Sequence, residues 1–134
     1  MHPLRNLALL LGRFMAAAVF VFDAYLIVKE PDAAAAFITQ IGLPGHVAGV
    51  PLVMVLALCQ FVGAIMLVFG FWTRFAALCF AAFCGATAVL VHHNFGSTSE
   101  TIQAGKDIAI AGGFLFLFGS GPGRWSIDGR RGGL

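Results

Sequence analysis

Residues 48–91 read AGVPLVMVLALCQFVGAIMLVFGFWTRFAALCFAAFCGATAVLV, and across this stretch Arg74 is the only charged side chain. A helix needs about 20 apolar residues to cross the hydrocarbon core of a bilayer, so the run holds two crossings. Phe71-Trp72-Thr73-Arg74 divides them with an aromatic anchor and a charge, a pairing suited to the membrane surface. Helices joined by so short a link are antiparallel neighbours. The first of the two covers 48–70, with Pro51 in its opening turn where a missing N–H costs little. The other covers 75–93 and closes on His92-His93-Asn94.

Upstream, an apolar segment over 6–28 stops at Lys29-Glu30-Pro31-Asp32, where charge and a proline end a helix. Its start imitates a secretory signal, but Arg13 interrupts the apolar core and hydrophobicity continues to Val28, so a retained first helix is expected. Residues 33–41 form an amphipathic stretch suited to lying on the membrane, broken by Gly42-Leu43-Pro44-Gly45. Downstream, Gly96-Ser97-Thr98-Ser99-Glu100 reads as a polar loop, 106–119 as a short fourth span, and 120–134 as a turn-rich basic tail.

The composition agrees. Of 134 residues, 60% are hydrophobic and 10% charged, with a mean hydropathy of +0.93, against about 45–50% apolar and 25% charged in soluble domains. The expectation is one all-α integral membrane domain over 1–134, a four-helix antiparallel bundle. A net charge of +2 with scattered basic residues excludes a nucleic-acid surface. Cys59, Cys79 and Cys84 lie in apolar runs without a CxxC pair and read as small packing residues. Arg5, Arg13, Arg74, Arg124, Arg130 and Arg131 fall on the side shared by the two ends and the middle hairpin, against Lys29 and Lys106 on the other. The positive-inside rule then puts both termini in the cytoplasm.

Polar side chains within the spans are the candidates for chemistry, because an ionisable group at the bilayer centre costs about 2.5–3.5 kcal/mol on insertion scales and turns toward the bundle interior. The topology gathers Asp23, Tyr25, His92, His93, Asn94, Lys106 and Asp107 at the outer end, with Gln60 near mid-membrane. The plainer reading has Lys29, Lys106 and the two histidines meeting headgroups and water, and Arg13 snorkelling to the inner surface. For Asp23 and Gln60, a site-lining role and simple interhelical hydrogen bonding stay equally open. A metal centre is disfavoured, since adjacent residues such as His92 and His93 point about 100° apart on a helix. Phe20, Phe22, Phe61, Phe95 and Phe114 are placed to wall a flat lipophilic ligand of the quinone type. No nucleotide loop or catalytic triad pattern occurs.

The chain resembles the DoxX-like membrane proteins. The resemblance rests on Leu9-Leu10-Leu11-Gly12-Arg13-Phe14, Lys29-Glu30-Pro31 and Gly42-Leu43-Pro44, then Gln60-Phe61-Val62-Gly63-Ala64 and the run from Leu67 to Arg74. It continues through Lys106-Asp107, Gly112-Gly113 and Gly123-Arg124-Trp125-Ser126-Ile127-Asp128. The resemblance implies a four-helix bundle in a bacterial or archaeal cytoplasmic membrane and, through the family's namesake, a link to quinone-dependent oxidation or thiol redox systems. Two positions depart from that pattern. Gln60 stands where a glutamate is common, and Asp23 where a small or hydroxyl residue is common. An amide cannot relay a proton by ionising, so an inherited proton-coupled role would fall to Asp23 or His92.

Two function classes therefore stand. One is a quinone-linked redox subunit with an outer-side pocket, in which Asp23 and His92 exchange protons while Gln60, Tyr25, His93, Asn94, Lys106 and Asp107 contact the ligand. Without a flavin, haem or metal motif of its own, it requires a redox enzyme partner, and whether the chain is itself an enzyme stays open. The other is a non-enzymatic anchor or assembly subunit whose polar groups set helix register. A homo-oligomeric channel is a weaker third reading, because isolated polar residues at one end make no continuous path.

Overall fold

Helix α1 runs from Pro3 to Lys29, 27 residues, or about 40 Å at the standard rise. It ends where Pro31 removes an N–H and disfavours helical geometry at the residue before it. Glu30 accordingly sits at φ −132°, ψ 67°, its N–H still bonded to Leu26. Pro31 in turn opens α2 (Pro31–Gln40). Three more long helices follow: α3 (Val50–Phe69), α4 (Thr73–Leu90) and α5 (Thr98–Ser120), before a single turn, α6 (Ile127–Arg130). This computed structural model describes residues 2–40, 49–90, 92 and 96–132, among which there is no strand. The expected break at Gly42–Gly45 lies outside the described residues, as do His93, Asn94 and Phe95.

The architecture is an all-α membrane bundle. Helices α1, α3, α4 and α5 are each long and apolar enough to cross a bilayer. Helix α5 begins eight residues before the apolar run that marks it in the sequence, so Thr98, Ser99 and Glu100 are helical, not a loop. Its first turn is a capping sequence, Ser97-x-x-Glu100, and Thr101 bonds back to the Ser97 carbonyl through both its N–H and its hydroxyl. Hydropathy alone passes over such a polar opening.

Helices α1 and α3 form one close antiparallel pair, α4 and α5 the other. The buried stripe of α1 is Arg13, Ala17, Phe20 and Ala24, and that of α3 is Val53, Ala57, Gln60, Ala64 and Leu67. Both follow the alternating three- and four-residue spacing of helices crossing at shallow angles, and the alanines let backbones approach. Where the pairs meet, Phe20, Phe80 and Phe114 cluster, with ring centroids 4.1 Å apart for Phe20–Phe80 and 5.2 Å for the stacked Phe80–Phe114. The Phe80 ring rests directly on Gly63, where a Cβ would come within 2.7 Å of it. Large apolar side chains such as Phe22, Leu58 and Phe116 point outward, as a lipid-facing surface requires.

The end of the bundle that holds both termini is tied by charge. Arg13 is 1% exposed, which overturns the expectation that it snorkels to the surface. Its Nη2 donates to the Trp125 carbonyl at 2.6 Å and its Nη1 to the Leu67 carbonyl at 3.3 Å. The reason lies in α3: the last carbonyls of a helix lack partners within it and carry the negative end of its dipole, so a cation finds acceptors there without leaving the bundle. Gly70 closes α3 in the left-handed conformation (φ 67°, ψ 44°), its N–H returning to Leu67 and that of Phe71 to Met66, a Schellman ending. The tail docks on this turn. The Asp128 N–H donates to the Gly70 carbonyl. The Asp128 carboxylate accepts from the Trp72 and Thr73 N–H groups at 3.0 and 2.8 Å and from the Thr73 hydroxyl at 2.9 Å, capping α4 from 55 residues away.

A side chain at position 70 would meet Arg13 and Ser126 and would hold a strained φ. Gly70→Ala should therefore lower the melting temperature in detergent by ten degrees or more, roughly, or abolish the folded peak, combining a left-handed penalty of about 1–2 kcal/mol with a steric clash. Gly105→Ala, with open space around its Cβ, should leave it unchanged or raise it slightly. Fluorescence-monitored melting of the two variants checks both.

Candidate functional site

At the opposite end from the Arg13 knot, the polar residues of the spans form two groups. On the α1/α3 pair, Gln60 is 4% exposed and donates through Nε2 to Asp23 Oδ2 at 2.9 Å. The amide oxygen, Oε1, is buried and has no hydrogen-bond partner. On the α4/α5 pair, His92 lies just beyond the end of α4 and bridges two carboxylates of α5. Its Nδ1 is 2.9 Å from Glu100 Oε2 and its Nε2 3.6 Å from Asp107 Oδ2. Positions 100 and 107 are two turns apart on one face of α5, which is why one imidazole reaches both. Cys84, on α4, is 3% exposed and part of the buried core.

Asp23, Gln60, His92 and Asp107 are thus placed in contacts between helices. Tyr25 is 58% exposed, two positions round the helix from Asp23, and Lys106 is exposed beside Asp107. His93 and Asn94 lie outside the described residues. Sequence reasoning missed Glu100 because it was assigned to a loop; the capping pattern Ser97-x-x-Glu100 is the signal that puts it on α5, although the structure commits its carboxylate to His92. Among the described residues no group of three or more His, Cys, Asp or Glu is arranged to hold a metal ion.

Two apolar grooves run between the helix pairs. One, about 440 Å³, lies between α1 and α5 along Leu9, Ala16, Phe20 and Phe114. The other, about 480 Å³, lies between α3 and α4, bounded by Leu56, Gly63 and Met66 on one side and Phe75, Cys79 and Phe83 on the other. Gln60 supplies the only amide side chain among the described residues of its lining, and Cys59 and Cys79 the only thiols. Both volumes fall within the about 300–1,000 Å³ usual for small-molecule sites. The α3/α4 groove reaches from mid-bundle toward the Gly70 turn, deeper than the outer-end pocket expected from the sequence; Gln60 stands midway along its α3 wall, and Asp23 is not on its lining.

Comparison with known proteins identifies relatives. The DoxX family model matches residues 8–93. The inner membrane protein YqjF of Escherichia coli (strain K12) is 33% identical over 128 residues, covering 96% of this chain and 95% of that protein. The inner membrane protein YphA of the same organism is 28% identical over 131 residues, covering 94% and 91%. No solved structure matches the chain.

The Asp23–Gln60 bond should be visible as coupling. Asp23→Ala leaves a second buried amide atom without a partner and should destabilise by about 1–3 kcal/mol. Adding Gln60→Leu removes the orphaned groups, so the double variant should be more stable than Asp23→Ala alone. Thermal unfolding of Asp23→Ala, Gln60→Leu and the double variant in detergent measures this, and additive effects would mean that the bond does not form.

Proposed function

The chain belongs to the DoxX family, and on that premise we propose that it is a small subunit of a quinone-linked redox system, holding a quinone-like lipophilic molecule in the α3/α4 groove. The observation that carries the reading is a long apolar groove walled by aromatic rings, with one amide-bearing residue, Gln60, on its lining. A flat ring on an isoprenoid-like tail suits such a groove, the ring against the aromatic walls and the tail along the apolar length. Phe75, Phe80 and Phe83 supply ring faces for it along α4.

Inner-membrane placement with both termini cytoplasmic belongs to the same proposal. The curated relatives are inner membrane proteins. With Arg13 withdrawn into the bundle, Arg5, Arg74, Arg124, Arg130 and Arg131 still mark the end with the termini, against Lys29 and Lys106 at the other. The groove is then entered from the membrane, and the Asp23 and His92 groups lie toward the periplasm. A bound quinone would supply the two-electron chemistry; the chain's part is to seat the ring, and the electrons come from a partner enzyme. In the competing reading, an assembly subunit without a ligand, the basic tail around Trp125 is the docking element, exposed beside the Arg13 knot.

Protein purified from native membranes in mild detergent should yield quinone on solvent extraction at close to one per chain, and Gln60→Leu should lower that yield several-fold. No quinone above a matched lipid control, together with no rise in melting temperature on adding a short-tailed quinone, would overturn the proposal. A redox enzyme that co-purifies equally with Asp23→Asn and wild type, without quinone, would favour the assembly reading.

A further inference from the structure

The charged residues are sorted between the two ends of the bundle. The end with the termini holds six basic side chains, Arg5, Arg13, Arg74, Arg124, Arg130 and Arg131, and one acidic one, Asp128. The outer end holds Lys29 and Lys106 against Asp23, Glu30, Asp32, Glu100 and Asp107. Arg13 is buried, and the Asp128 carboxylate is taken up by the Trp72 and Thr73 N–H groups and the Thr73 hydroxyl. The other five arginines are exposed, and among the described residues none of them forms an ion pair. Their counter-charge comes from outside the chain.

The folded tail fixes where these cations stand. Arg13 holds the Trp125 carbonyl, Asp128 holds the start of α4, and the Arg124 N–H donates to Asn6 Oδ1 at 3.3 Å, so the tail lies across the ends of α1 and α4. A Cβ at Gly121 would stand 3.5 Å from the Arg74 guanidinium, so Arg74 and Arg124 border one short turn of the tail. The same end carries both tryptophans of the chain, Trp72 61% and Trp125 49% exposed. Trp72 holds φ 47°, a left-handed geometry unusual for a bulky residue, and its ring stacks on Phe71 and meets Phe75 edge-on. Indole rings favour the headgroup level of a membrane.

From this we propose that the tail and the start of α4 form a binding surface for acidic phospholipids, with Arg74 and Arg124 on headgroup phosphates and Trp72 and Trp125 at headgroup depth. A guanidinium meets a phosphate through two parallel N–H···O bonds, a match that a lysine ammonium does not make. A soluble acidic protein would meet the same charge, but exposed indoles and Phe71 at the edge of the spans suit a leaflet better. The surface is independent of which way the bundle faces and of what the α3/α4 groove holds.

Because both tryptophans lie at this end, their fluorescence reports the lipids that touch it. The full chain is reconstituted in vesicles of about a quarter phosphatidylglycerol in phosphatidylcholine, with brominated acyl chains on one lipid or the other in turn. A basic residue near an anionic surface is worth about fivefold, so quenching at low salt should show phosphatidylglycerol favoured about tenfold or more. The preference should fall toward unity at about 1 M salt, and to about threefold or less in Arg74→Gln/Arg124→Gln. Lys29→Gln, at the other end, should leave it unchanged. Circular dichroism and melting establish that each variant is folded, and the wild-type salt series stands by itself if the double variant is not. Equal quenching by the two lipids in wild type overturns the proposal and leaves the arginines to an acidic protein partner. A preference that survives high salt, or that a folded double variant keeps in full, overturns the part given to Arg74 and Arg124.

Discussion

A guanidinium held among apolar helices persists only if acceptors come to it, and in this protein they come from the end of α3 and from the C-terminal tail. Arg13 ties the Leu67 and Trp125 carbonyls together, while Asp128 closes the same assembly over the Gly70 turn and the start of α4. Charged groups placed at mid-helix cost about 2.5–3.5 kcal/mol on insertion scales; here two carbonyls and a nearby carboxylate offset part of that cost, while the Arg13 Nε stays buried without a partner. The knot joins α1, α3, α4 and the tail at one point, and it sets the depth at which every other residue of those helices lies.

The rest of the bundle follows from that anchoring. With α1 and α3 pinned at Arg13, their small-residue stripes zip together and bring Asp23 against Gln60 at the other end. With α4 pinned by its cap, Phe80 settles on Gly63 and the aromatic cluster joins the two helix pairs without closing the spaces beside it. The grooves are a consequence of joining two tight pairs through one cluster of rings. The α3/α4 groove has Gln60 on its lining, and the amide of that residue is turned to Asp23 on the neighbouring helix. Structure and proposed function meet in this sequence of constraints, from a helix ending at Gly70 to the orientation of one side chain.

The four spanning helices could be read directly, because apolar length is a local property and the interruptions at Lys29–Asp32 and Phe71–Arg74 are abrupt. The burial of Arg13 was legible in principle: it stands in register with Ala17, Phe20 and Ala24, and a charge on the stripe of small residues belongs inside. The rule that arginines near a membrane surface snorkel competed with that register, and the register prevailed because α3 ends beside it. The longer α5 was hidden by its polar first turns, so Glu100 went unrecognised. What no local pattern discloses is the cap that Asp128 places on α4, or the pairing of His92 with Glu100 and Asp107, since each depends on where separate helices meet. Of the proposed site, the residue types were legible and their partners were not.

The proposed function depends above all on the α3/α4 groove holding a ring. A crystal structure grown from a lipidic mesophase with excess hydroquinone tests this most directly. The predicted result is ring density in the groove beside Phe80 and Phe83, with the Gln60 amide nitrogen still on Asp23. Continuous acyl-chain density through the groove, with no ring, would contradict it.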